Sequence, residues 1–106
     1  MTKDPNAPYI TQQYRDRERR MVYELRHGTS VLVLVVTESG DAQAQWRFEA
    51  HPMASPQLVV AGSWGDTRAT AFGTLRDLWV ERGASLGLAR IDWESVRAAL
   101  AEVRAI

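Results

Sequence analysis

The chain has 106 residues, which by the usual size relation is one domain with room for a single core. Its 13 basic and 13 acidic residues cancel, so no global field draws it to nucleic acid or to an anionic membrane surface. It has no cysteine, which removes disulfides, thiolate metal sites and thiol nucleophiles together.

Residues 1–10 read as a flexible tail, because Pro5 and Pro8 interrupt a stretch of little apolar content; residues 11–106 read as the folded domain. The opening Met1-Thr2-Lys3-Asp4 lacks the basic start and apolar core of a secretion signal, and no stretch approaches the ~20 apolar residues of a membrane helix. The expected setting is the cytoplasm, with no membrane partner.

Two readings compete from Thr11 to His27. Tyr14, Met21, Val22 and Leu25 fall on one side of a 3.6-residue helix, Thr11 can cap its start, and Gly28 stands where it would stop. Val22 to Arg26 also alternates well enough to be a strand paired with the apolar run that follows. The helix is preferred over most of the segment, since its polar half is rich in Gln and Arg, and Asp16 and Arg20 make an i,i+4 pair.

The run Val31 to Val36 is apolar without interruption, rich in β-branched residues and too short to span a membrane. It predicts a central strand, Ser30–Thr37, covered on both faces. After Ser39-Gly40-Asp41 a second strand is expected over Gln43–His51. Ala44, Trp46, Phe48 and Ala50 point one way there, and Gln43, Gln45, Arg47, Glu49 and His51 the other. A third strand follows at Gln57–Ala61. Gly62 and Gly65 then read as turn glycines before an Asp66 or Thr67 cap and a helix from about Arg68 to Arg82, ended by Gly83, with Ala71, Phe72, Leu75, Leu78 and Trp79 as its buried stripe. Gly73 inside that helix suggests a close approach to another element. Asp92 caps a last helix, Trp93 to about Ala105, whose narrow stripe of Trp93, Val96, Leu100 and Val103 suits either the preceding helix or a partner subunit.

The inventory for chemistry is thin. His27 and His51 share no ligand spacing with each other or with a carboxylate, so neither a metal site nor a catalytic pair is predicted. The Gly62–Gly65 stretch lacks a following Lys-Ser or Lys-Thr, and Asp66 sets a negative side chain where a phosphate would sit. The polar row Gln43, Gln45, Arg47, Glu49 and His51, with alternate side chains about 6.8 Å apart, is the candidate binding surface, although any two-layer sheet leaves one face polar. A candidate basic patch is Arg15, Arg19 and Arg20, interleaved with Asp16 and Glu18 in the manner of a solvated face. If the central strand is apolar on both sides, its second face needs a cover, from the N-terminal segment or from a second subunit.

The order helix, three strands, helix over residues 11–82 resembles the layout of double-stranded-RNA-binding domains. That family binds phosphate through lysines at the start of its final helix, where this chain has Asp66, Thr67 and Arg68, so the resemblance is one of layout and does not favour RNA binding. Gly65-Asp66-Thr67 with Ala71 following is similar to the helix opening of HicB-like antitoxins. Arg supplies all basic residues but Lys3, and Ala is abundant, a bias of GC-rich bacterial genomes. Taken whole, the chain resembles the small stand-alone domains of unknown function of high-GC proteobacteria, which implies a fold and no activity.

The expectation is an α+β fold: a single two-layer domain, α-β-β-β-α-α, with a three-stranded antiparallel sheet packed by helices. The expected function is a non-enzymatic binding or protein-interaction domain, with a protein partner or a second copy as ligand and no cofactor or metal. A nucleic-acid-linked regulator ranks second, and a small hydrolase or metal-dependent enzyme third.

Overall fold

The N-terminal segment does not form a helix. In the computed structural model, which describes residues 7–40, 42–55 and 57–106, it forms strands β1 (Tyr9–Arg15) and β2 (Met21–His27), paired antiparallel. Asp16 is the physical reason. Its Oδ1 accepts from the backbone N–H of Glu18 at 2.9 Å and of Arg20 at 2.8 Å, while its Oδ2 accepts from Arg20 Nε at 2.8 Å. A carboxylate thus closes a turn that no Gly, Asn or Pro announces, and Arg19 takes the left-handed φ of 63° within it. The i,i+4 pair expected on a helix surface is instead the staple of a hairpin.

Strand β3 (Ser30–Glu38) follows through Gly28 and Thr29, with Gly28 at φ 62°, the positive value that such two-residue loops require. Strands β4 (Trp46–Pro52) and β5 (Val60–Ala61) complete a five-stranded antiparallel sheet in the order β1-β2-β3-β4-β5. The three-stranded sheet of the α-β-β-β-α-α layout is therefore corrected to five strands, the two additional ones being the segment read as a helix. The first six residues of the expected tail lie outside the described residues, and Tyr9 and Ile10 belong to β1.

Element boundaries shift for local reasons. Strand β4 begins at Trp46, not Gln43, because Ser39 and Gln45 close the preceding loop: Ser39 N–H donates to Gln45 O and Gln45 N–H to Ser39 Oγ, both at 2.9 Å. Helix α1 (Arg68–Leu86) passes through Gly83 and ends at Gly87, whose φ of 64° lets Leu88 N–H return to Gly83 O at 2.9 Å. Helix α2 (Trp93–Glu102) stops short of Val103, which is exposed, so the buried stripe is Trp93, Val96 and Leu100 alone. Thr67 and Asp92 act as N-caps, accepting from Thr70 N–H at 3.0 Å and Ser95 N–H at 3.3 Å.

Both helices lie on one face of the sheet. Leu34, Phe48, Ala50 and Val60 from the strands meet Phe72, Leu75 and Leu100 from the helices, all but fully buried. Edge-to-face aromatic contacts run through this layer: Phe48 to Phe72 at 5.7 Å, Phe72 to Trp93 at 5.8 Å and Trp93 to Trp79 at 5.6 Å. The terminal helix stripe is thus consumed inside the domain and offers nothing to a partner. Trp79 Nε1 donates to Ala89 O at 3.0 Å and pins the connection between the helices.

The glycines of residues 62–65 serve packing more than turning. A Cβ on Gly62 would lie 2.7 Å from Leu75 N and one on Gly65 2.8 Å from Ala71 N, so β5 and its extension press directly on α1. Gly73, expected to mark the close approach, would meet only Arg76 Nη2 at 3.7 Å. Chemical denaturation is expected to show Phe72→Ala less stable by about 3–5 kcal/mol, Gly62→Ala also less stable, and Gly73→Ala more stable by about 0.5–1 kcal/mol. A stabilised Gly62→Ala would contradict the packing of β5 on α1.

Candidate functional site

Strand alternation gives the sheet a second face that no described element covers. Rows cross it in register: Tyr14, Val22, Val35 and Glu49 form one, and Gln12, Glu24, Val33 and His51 the next. Tyr9, Arg26 and Val31 make a third. The middle of this face is apolar and its borders are polar. Val22 and Val35 are buried at 4% and 7% exposure although neither belongs to the helix-side core, so their neighbours on the open face shield them. Val31 and Val33 are half-buried, while Tyr9 and Tyr14 stand 52% and 41% exposed.

The polar row expected over Gln43–His51 divides. Arg47, Glu49 and His51 lie on this face of β4, each half-buried. Arg47 Nε donates to Gly62 O at 3.2 Å, and His51 Nε2 lies 3.4 Å from Glu49 Oε2. Gln43 and Gln45 precede the strand and leave the row. Gln43 is exposed in the loop, and Gln45 holds the loop shut and reaches Asp66 Oδ1 at 3.5 Å.

The basic patch also divides. Arg20 turns to Asp16 and Glu18, at 2.8 and 3.4 Å, and Glu49 lies close enough to add to the field that raises its pKa. Arg15 and Arg19 instead line a hollow of about 120 Å³ at the edge of the helix side, where Arg68 from the first turn of α1 joins them with Tyr23, Trp46 and Glu38. Tyr23 flanks the cluster in the sequence, but Arg68 was not legible as a partner of Arg15, because some fifty residues of chain separate them. At the opposite end of the sheet, Leu32, Met53, Leu58, Trp79 and Leu88 border an apolar groove of about 400 Å³.

The two histidines lie on opposite faces. His27 falls in the alternation of Tyr23 and Leu25 and stands near enough to Asp92 to act on its carboxyl, whereas His51 is on the open side. They cannot share a ligand. Among the described residues no three His, Asp or Glu side chains converge as a metal site needs, and no helix is long and apolar enough to cross a membrane.

No protein-family model matches the chain, and no curated protein or solved structure matches it. The site is therefore read from its own chemistry. The helix on which the likeness to double-stranded-RNA-binding domains rests is a pair of strands here.

The Asp16 turn joins the two surfaces, since it carries Arg19 toward the hollow and Arg20 toward the open face. Burial opposes the ionised Asp16 carboxylate, but hydrogen bonds from Arg20 and Glu18 and the Arg20 charge outweigh it and hold the carboxyl below the usual range. A depressed folded pKa contributes stability at neutral pH that is lost as pH falls through it. Asp16→Asn is expected to be less stable than the native chain near neutrality, and the gap is expected to close below about pH 4. A gap that survives at lower pH in thermal melts would contradict the role given to this carboxylate.

Proposed function

We propose that this protein is a non-enzymatic protein-interaction domain that pairs with a second copy of itself through the open face of its sheet. One observation carries the reading: Val31 and Val33 stay half-buried, beside the exposed Tyr9 and Tyr14, on a face that both helices leave uncovered. Apolar surface of this kind, rimmed by polar groups, is what association removes from water.

Size and charge support a like partner. Four full-length strands about 4.8 Å apart and about seven residues long at 3.3 Å each give a planar face of roughly 450 Å² per copy, so two copies cover about 900 Å², the size of a weak, concentration-dependent interface. Glu24 and Glu49 balance Arg26 and Arg47 on the same face, so it can meet itself without net repulsion. Glu24, Val33 and His51 share one row. A two-fold axis between the faces, about 15° from the direction of β3 and passing over Val33, sets Val33 over Val33 and brings His51 toward Glu24 in both directions, with the stacked sheets crossing at roughly 30°.

Association through the sheet edges is disfavoured. Strand β5 has only two residues, and β1 carries an irregularity between Ile10 and Gln12 and ends in Arg15, features that blunt edge pairing. On β4 the polar side chains of the open face are engaged, Arg47 with Gly62 O and His51 with Glu49. This suits a contact surface and gives no group an evident nucleophilic or acid/base task.

Light scattering over a concentration series tests the reading. The native chain is expected at dimer mass, and Val33→Asp at monomer mass with an unchanged circular dichroism spectrum, because the substitution would oppose two carboxylates at the axis. A native chain that stays monomeric at high concentration, or a Val33→Asp variant that dimerises as well as the native one, would overturn it.

A further inference from the structure

We infer that the hollow between the β1–β2 turn and the start of α1 is a binding site for a single phosphomonoester-type oxyanion. This rests on the helix side of the sheet and does not depend on pairing through the open face.

Three guanidinium groups, Arg15, Arg19 and Arg68, line one small space in which Glu38 is the one carboxylate among the described lining residues. None of the three has an ion-pair partner among the described residues, whereas Arg20 and Arg76 do. Two of them are held by one nitrogen each: Arg15 Nη1 donates to Arg19 O at 3.0 Å, and Arg68 Nη1 to Arg104 O at 3.2 Å. A guanidinium has five N–H donors in a fixed fork, so one such tether sets its position and leaves the rest for a tetrahedral oxyanion. Arg19 is itself set by the Asp16 turn, with its backbone N–H donating to Asp16 O at 3.0 Å.

Tyr23 supplies a neutral donor. Its residue is only 6% exposed, it lines the hollow, and its hydroxyl makes no hydrogen bond with the described residues. Burial pushes the phenol up even though Arg68 and Arg15 pull it down, so the hydroxyl keeps its proton at neutral pH. This O–H, with no protein acceptor among the described residues and within the field of Arg15 and Arg68, can donate to an oxyanion held there.

Volume limits the ligand. About 120 Å³ is the room of roughly four water molecules, well below the ~300 Å³ at which pockets enclose a whole small molecule. One oxyanion group fits, with whatever bears it remaining outside. The balanced charge of the chain argues against a nucleic-acid track, which would need many phosphate contacts along a basic stripe.

The full chain, held at constant ionic strength with chloride, is titrated separately with inorganic phosphate, glycerol phosphate and phosphatidylcholine vesicles containing phosphatidic acid. Amide and side-chain resonances of Arg19, Tyr23 and Trp46 are followed for the soluble ligands, and co-sedimentation for the vesicles. Saturable shifts confined to the hollow are expected with a soluble phosphate, and Arg68→Gln and Arg15→Gln are each expected to weaken binding by about tenfold or more. Arg76→Gln, midway along α1 and outside the hollow, is expected to bind as the native chain does. Vesicle binding that Arg68→Gln abolishes, with soluble phosphates silent, would support the site and name a lipid headgroup as its source. No saturable response to any of the three, or an equal response in Arg68→Gln, would overturn the inference. Single-stranded RNA binding with a salt dependence of several phosphates would overturn it too.

Discussion

Phe72 touches Phe48 on the sheet and Trp93 on α2 at the same time, edge to face at 5.7 and 5.8 Å, and the two-layer form of the molecule follows from it. Each such contact adds about 0.5–1.5 kcal/mol beyond the area buried. Trp79 joins the same group through Trp93, so α1 and α2 are locked to each other and to β4 in one layer. Both helices are thereby committed to one side. Among the described residues nothing remains to cover the other side of the strand with the longest apolar run in the chain.

That asymmetry is the source of the functional reading. A strand apolar on both faces belongs in the middle of a molecule, and β3 is in the middle of its sheet but at the surface of the fold. Tyr14 and Glu49 flank Val22 and Val35 in their row and shield part of the stripe, yet Val31 and Val33 remain half open. A second copy, as proposed, would remove this exposure by symmetry. The arginine hollow lies on the helix side of the sheet with Tyr23, so ligand binding there and pairing on the open face do not compete for the same surface.

What the amino-acid sequence disclosed depended on how local each signal is. Helices α1 and α2 were legible because Thr67 and Asp92 cap them and Phe72, Leu75, Trp79 and Trp93, Val96, Leu100 recur at helical spacing. Strand β3 was legible from its composition, and Arg47, Glu49 and His51 from simple alternation. Gln43 and Gln45 continue the same alternation through a loop that Ser39 closes, and alternation alone cannot mark where a ladder ends. The N-terminal hairpin was misread because Gln and Arg favour helices intrinsically and Tyr14, Met21, Val22 and Leu25 fit a helical face. The competing signal was the alternation of Met21, Tyr23 and Leu25 against Val22, Glu24 and Arg26, with Asp16 placed to close a turn. Tertiary pairing with Val31–Val36 decided between them, and it also brought Arg68 to Arg15, which no local pattern announces.

The most direct test of the account is an isotope-filtered nuclear Overhauser experiment on an equal mixture of labelled and unlabelled chains. Contacts between copies are predicted at the methyl groups of Val31, Val33 and Val35 and at the Tyr14 ring. Contacts between copies that map to α1 or α2, or none at all at concentrations where the chain is saturated, would contradict the claim that the open face of the sheet is where this protein meets its partner.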